Sequence, residues 1–288
     1  MSFSAAAFRP AILVLATLSP ACLRAEGIDT EHLYAFTIGT DVGELGEREF
    51  QSQTTGRFAK SAGTYGVVSQ DIELEFVPVQ NFRIEVGSSF SWYDVNGVPG
   101  FGDRSQLNWQ GASLDLRYKL FDRRTSPIGV TVAFETDARQ LDELTGAFVQ
   151  NYGTELTLAL ERDLIPDRVV AAFNMFYEPE WTRISATGSA EQESTGGAAF
   201  ALMDRVLPGV LLGGEVRYLR RYDGAGFESL NGQALFVGPT VYWQVSERSR
   251  LTFGWSAQLW GRPAGTSAAL DLVNFERQQA RLIFGFNF

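Results

Sequence analysis

Hydrophobic and polar residues alternate with a period of two along most of this chain. Leu251, Phe253, Trp255, Ala257 and Leu259 take one parity, and Thr252, Gly254, Ser256 and Gln258 the other. Ala112, Leu114, Leu116, Tyr118 and Leu120 oppose Ser113, Asp115, Arg117 and Lys119 in the same way. So do Ile128, Val130, Val132 and Phe134 against Thr131, Ala133, Glu135 and Asp137. Phe82, Ile84, Val86 and Phe90 stand against Arg83, Glu85, Ser89 and Ser91, and Leu156, Leu158 and Leu160 against Glu155, Thr157 and Glu161. Such a period means extended strands with one apolar and one polar face. Each run is longer than strands in globular sheets usually are and approaches the length of a tilted membrane-crossing strand. Beyond the first residues no stretch reaches the roughly 20 apolar residues that a spanning helix requires.

Breaks in the alternation divide the chain. Pro78, Pro127, Pro166 and Pro208 each sit in a short gap between two runs, and Ser246–Ser249 makes a fifth gap. Proline cannot donate to a sheet ladder, so it belongs at strand ends. The other gaps are longer and rich in Gly and polar residues: Asn96 to Ser105, Gln140 to Asn151, Gly188 to Thr195, Asp223 to Asn231 and Arg262 to Asn274. Counting back from the C-terminus gives twelve strands, at about 276–288, 249–262, 232–246, 208–222, 191–205, 168–183, 152–163, 126–138, 106–120, 80–94, 64–77 and 47–58. Short turns on one side and long loops on the other match a transmembrane antiparallel β-barrel. The predicted class is all-β, a single barrel over residues 47–288. An even strand number puts both barrel ends on the periplasmic side. Leu33 to Thr40 also reads as a short strand, and the segment 26–46 is placed at the periplasmic mouth or inside the lumen.

The last run, ERQQARLIFGFNF, sets Ala280, Leu282, Phe284, Phe286 and Phe288 against Arg277, Gln279, Arg281, Gly285 and Asn287, with Ile283 the one apolar residue on the polar face. A final strand ending in phenylalanine resembles the assembly signal of Gram-negative outer-membrane β-barrels. The stretches Phe36 to Glu47 and Leu270 to Arg277 also look like stretches of uncharacterised proteobacterial outer-membrane proteins. That resemblance implies residence in the cell outer membrane, contact with its lipid and lipopolysaccharide, and insertion by the barrel assembly machinery. It implies no activity and no oligomeric state.

The N-terminus and composition agree with export. Arg9 precedes the apolar run Ala11 to Leu18, and small residues follow, giving a signal peptide over 1–25 with cleavage after Ala21 or Ala25. Cys22, the only cysteine, lacks the aliphatic and small residues of a lipobox before it. Mean hydropathy is −0.07, the value expected when a lipid-facing surface is averaged with a polar lumen. The net charge of −10 becomes −12 on losing Arg9 and Arg24. An acidic chain excludes nucleic acid as a partner.

Candidate chemistry is sparse. His32 is the only histidine. Outer-membrane barrels that are enzymes (phospholipases, omptin-type proteases, lipid A deacylases, palmitoyl transferases) resemble one another in using a histidine near the outer rim. His32 lies before every strand and reads as a plug or surface residue, so no catalytic residue, metal or cofactor is assigned. Asp41, Glu44 and Glu47 around Gly43 and Gly46 read as a solvated acidic turn, not a calcium loop. Gly100 and Gly102 lack the helix of a phosphate-binding loop. Trp92, Tyr93, Trp109, Trp181, Tyr222 and Trp260 read as an aromatic girdle at the outer interface.

The polar parity carries the informative charges. Arg83, Glu85, Asp115, Arg117, Lys119, Glu135, Asp137, Glu155, Glu215, Arg217, Arg277 and Arg281 are the candidate lumen-lining residues. Buried charges must be paired or hydrated. Opposite charges across adjacent strands would plug the lumen, with Arg83, Asp115, Arg117 and Glu135 as a ladder, whereas hydrated ones would line a pore or a ligand site. Porin-like passage of small solutes through a narrow charged lumen is the expected activity. A closed structural or loop-binding barrel is the alternative, and a rim enzyme acting on lipid or peptide through carboxylates is a third reading.

Overall fold

The computed structural model describes residues 27–288; the export signal and Cys22 lie outside the described residues. The strands are β1 (Arg48–Phe58), β2 (Thr64–Val79), β3 (Phe82–Asn96), β4 (Arg104–Phe121), β5 (Gly129–Leu141), β6 (Phe148–Ile165), β7 (Val169–Ile184), β8 (Ala190–Leu207), β9 (Val210–Asp223), β10 (Ser229–Gln244), β11 (Ser249–Pro263) and β12 (Gln278–Asn287). Each pairs antiparallel with its sequence neighbours, and β1 pairs with β12 from Glu49↔Asn287 to Phe58↔Gln278, closing the barrel. The chain is a transmembrane antiparallel β-barrel of twelve strands. No helix of the described residues is long and apolar enough to cross a membrane.

Several strands outrun their sequence limits. β6 and β8 each have 18 residues, so most of Gly188 to Thr195 belongs to β8 and not to a loop. Polar residues ladder as readily as apolar ones once the wall rises above the bilayer, and alternation does not mark that extension. Leu33 to Thr40 is not a strand. Tight turns close one end, which in outer-membrane barrels is the periplasmic end. At Pro208-Gly209 the proline pre-sets φ and Gly209 takes φ +73°, a combination suited to a two-residue turn.

The apolar parity faces outward. Phe134, Phe253, Trp255, Leu282, Phe284 and Phe286 are all substantially exposed on a barrel viewed without lipid, which is the surface that hydrocarbon covers. Trp92, Trp109, Trp181 and Trp260 are among these outward residues. Tyr93 is not: it is fully buried with Tyr65, Val67, Val95, Val98 and Leu141, because it has the opposite parity to Trp92. Tyr222 is partly covered by Phe227. Leu116, paired with Ile84 and Phe134, faces lipid, whereas Ser113 lines the lumen. Leu116→Arg is therefore expected to cost about 2–4 kcal/mol in folding into lipid vesicles, and Ser113→Arg much less. Equal costs would reverse the inside–outside assignment.

Candidate functional site: a plugged, charged lumen

Residues 28–42 fold back into the periplasmic half of the barrel and fill it. Leu33 and Tyr34 pack with Ile28 against Val170, Ala172, Ala201, Met203, Leu211 and Tyr242. Lumen carboxylates then take up the polar groups of the turn. Glu161 on β6 accepts from Thr30 Oγ1 (2.6 Å), Tyr34 OH (2.6 Å) and Thr40 Oγ1 (2.7 Å). Glu215 on β9 accepts from the Ala35 and Phe36 amides (2.8 and 3.0 Å) and from Thr37 Oγ1 (2.7 Å). Asn174 brackets Ile38, accepting its N–H at 2.8 Å and donating to its carbonyl at 3.0 Å. Arg123, from the β4–β5 turn, clamps Asp41 at 2.7 Å. Glycines in the wall make room: a Cβ on Gly254 would stand 2.3 Å from the Ala35 Cβ, and one on Gly129 2.5 Å from Thr40 Oγ1.

The register of the strands produces an arrangement that alternation does not reveal. Glu49 lies opposite Glu75, Glu75 opposite Glu85, Glu85 opposite Asp115, Asp115 opposite Glu135, and Glu135 opposite Glu155. Six carboxylates thus cross six strands side by side, and Arg83 faces Arg117. The expected ladder of opposite charges is not formed, because adjacent-strand register is set by turn length and not by charge. Directly opposed like charges are unfavourable, so each must find a cation or water elsewhere. The lower half finds cations. Arg83, 1% exposed, binds Glu75 at 2.9 Å, Glu31 of the turn at 3.0 Å and Glu85 at 3.1 Å, and Arg250 grips Glu49. Arg117 reaches only Asp115, its strand neighbour, at 2.9 Å. Glu135 has no hydrogen-bond or ion-pair partner among the described residues.

His32 Nε2 comes within 3.3 Å of Glu75, and with Glu31 these form a set whose ligand atoms lie within 4.8 Å of one another. That spacing would suit a metal ion. Arg83 Nη1 already stands among them, 3.4 Å from His32 Nε2, and supplies the positive charge. Burial, reinforced by Arg250 and Arg83, pushes the imidazole well below its usual range, so it is neutral. It sits at the periplasmic end, away from the outer rim. Asp41 is likewise no solvated turn residue: it is 4% exposed and paired with Arg123 and Lys119.

Above the turn lies a cavity of about 440 Å³, floored by Phe36 and Ile38 and lined by Glu85, Arg117, Glu135, Asp137, Glu155, Arg217 and Arg281 among others. The structure brings these seven of the candidate residues together. Arg83, Lys119 and Glu215 instead hold the N-terminal segment, and Asp115 is buried beside Arg117. Arg277 is exposed in the outer β11–β12 connection, outside the lumen. Glu143, Arg57, Arg139 and Glu178 also line the cavity. None of these four is among the residues singled out from the sequence; Arg57, Arg139 and Glu178 have the inward parity of their strands, whereas Glu143, in the β5–β6 loop, carries no such signal. Glu143 bridges Arg139 at 2.8 Å and Arg57 at 3.1 Å, between this cavity and a smaller one of about 150 Å³ nearer the outer mouth. Burial opposes its ionisation, but Arg57, Arg139 and Arg221 hold the carboxyl down to about 2.

The β11–β12 connection caps the outer mouth from the other side. Phe275 packs on Phe236, Leu219 and Ala234, and Lys60 donates to the carbonyls of Phe275 (2.8 Å) and Val273 (3.2 Å). Burial pushes the Lys60 ammonium down to about 8 from 10.5. A folded-state value below the unfolded one means a penalty for keeping the charge that is full below pH 8 and lifts as pH rises from 8 towards 10.5. Wild-type protein is therefore expected to gain stability relative to Lys60→Met across that window in urea titrations. A constant difference would show that Lys60 is not so buried.

The fold is similar to that of the COG4313 outer membrane channel from Pseudomonas putida F1, with TM-score 0.61, 10% identity, and coverage of 86% of this chain and 98% of that one. It is also similar to the β domain of the Bordetella autotransporter Brka, with TM-score 0.53, 13% identity, and coverage of 85% and 100%. At identities so low the likeness is one of fold alone, that of an outer-membrane barrel. No curated protein matches the sequence. The model of a family of unknown function, DUF6662, matches residues 26–288, and the chain belongs to that family.

Proposed function

We propose that this protein is a non-enzymatic channel of the Gram-negative outer membrane, passing small polar solutes through a narrow charged lumen that its own N-terminal segment closes at rest. The observation that carries the reading is the cavity of about 440 Å³ standing directly on the docked segment. A barrel built only as a scaffold gains nothing from a hollow lined with unpaired carboxylates, which are costly to desolvate. Beside the apolar packing of Ile28, Leu33 and Tyr34, the segment is joined to the wall by hydrogen bonds and ion pairs that water can replace, so its withdrawal costs chiefly the burial of that one cluster. The outward aromatic and aliphatic belt is the surface for lipid and lipopolysaccharide, and insertion by the barrel assembly machinery fits the exposed terminal Phe288.

Deleting residues 27–45 is the direct test. In a planar bilayer the shortened barrel is expected to conduct steadily and with preference for cations, while the full chain conducts rarely. A shortened barrel that folds, shown by heat-modifiable migration on gels, yet stays silent would reject the channel reading and favour a structural barrel.

A further inference from the structure

Only the unpaired charges around the cavity are segregated by side: Arg57, Arg117 and Arg139 also line it, but they are engaged by Glu143, by Asp115, and by Asp137, Glu143 and Glu180 respectively. Every strand-borne carboxylate that lines it comes from β2 to β7, whereas Arg217 faces it from β9 and Arg281 from β12. These two guanidinium groups lie over the Phe36 ring, at 4.0 and 4.9 Å from its centroid. Arg217 donates to Gln279 and Ser256, and Arg281 to Thr55 and the Ala35 carbonyl. Neither has a carboxylate partner among the described residues. On the facing arc Glu135 and Glu178 have no cationic partner among the described residues. Gln51 of the adjoining β1, 6% exposed, donates to Glu73 at 2.5 Å and leaves Oε1 without a partner at the cavity.

Unpaired charges of both signs, held apart on opposite walls, call for a guest that carries both. The walls cannot neutralise each other, since strands fix them on opposite arcs. A simple cation would satisfy only the acidic side, and an anion only the basic side. The volume is in the range of small-molecule sites. We propose that the cavity selects small zwitterions of the amino-acid or dipeptide class, with the ammonium against Glu135, Glu155 and Glu178 and the carboxylate against Arg217 and Arg281. The proposal deepens the channel reading, on which the solute's onward passage rests, but binding itself is measurable in the closed barrel.

Saturation-transfer NMR on the full chain in detergent, with L-alanine, L-alaninamide and N-acetyl-L-alanine, separates the cases. L-Alanine is expected to bind, and each analogue about ten-fold or more weakly, the effect of losing one charge-assisted contact. Arg217→Gln should weaken L-alanine and leave L-alaninamide unchanged. Glu178→Gln should weaken L-alanine and leave N-acetyl-L-alanine unchanged. Glu143→Gln, which loosens the bridge above the cavity, controls for entry. L-Alaninamide binding as well as L-alanine would make this a cation site and overturn the proposal. So would L-alanine failing to bind both wild type and Glu143→Gln. If none of the three probes binds although the 27–45 deletion conducts, the channel stands and its zwitterion selectivity falls. If L-alanine binds as described although the deletion is silent, the selectivity stands and the channel falls.

Discussion

Replacing Glu161 by alanine is expected to turn a barrel that conducts rarely into one that conducts for much of the time. Glu161 is 2% exposed and accepts from three hydroxyls of the N-terminal segment, on Thr30, Tyr34 and Thr40. A hydrogen bond to a charged group contributes about 1.5–3 kcal/mol. The three share one carboxylate and are not additive, so about 3–5 kcal/mol is a reasonable total for docking. At about 1.4 kcal/mol per factor of ten, the undocked population should rise by roughly two to three and a half orders of magnitude. The wall itself should be unharmed, because in the undocked barrel position 161 faces water. Single-channel recordings read the effect as open probability. Gly254→Phe should act in the same direction by occupying the space of Ala35. An unchanged open probability in both variants would mean that the segment is not the gate.

Arg83→Met should be the most destabilising lumen substitution. It strips one guanidinium from Glu31, Glu75 and Glu85 at once, leaving three buried carboxylates with little compensation. Breaking a buried ion pair by removing one partner costs about 3–5 kcal/mol, and here the row of opposed carboxylates adds repulsion. A urea midpoint well below that of wild type is the expected result. Adding Glu75→Gln should recover part of the loss, since it removes one of the stranded charges. Arg117→Met should cost less, because Arg117 pairs with Asp115 alone beside a hydrated cavity. Equal costs at positions 83 and 117 would contradict this ranking.

The wall of the barrel was legible because period two assigns each residue a side with no knowledge of its neighbours. Leu116 and Phe134 turn to lipid and Asp115 and Glu135 inward on parity alone. Parity also held the answer for Tyr93, which cannot share a face with Trp92. What parity does not contain is register. Whether Glu85 meets Asp115 or Arg117 depends on a turn and on irregularities such as the shift at Ser89/Phe90, and these decide between a neutral ladder and a row of like charges. The plug was half legible. Leu33, Tyr34, Phe36 and Ile38 are apolar residues outside any spanning strand, a sign that something covers them. Their partners Glu161 and Glu215 look no different from other inward acids until the segment is seen against them.

Both ends of the lumen segment emerge at one mouth. Gly27 lies beside Asp167 of the periplasmic β6–β7 turn, and the Gly46 amide bonds the Val77 carbonyl near the periplasmic end of β2. The segment is therefore a loop pushed in from one side, and not a thread passed through the ring. It can enter or leave a barrel that is already sealed without opening the β1–β12 seam and without moving its own ends across the membrane. Closure of the wall and docking of the segment are thus separable events in time. An unplugged barrel is therefore open to the chain at any stage, and the sealed wall sets no topological barrier to reaching it.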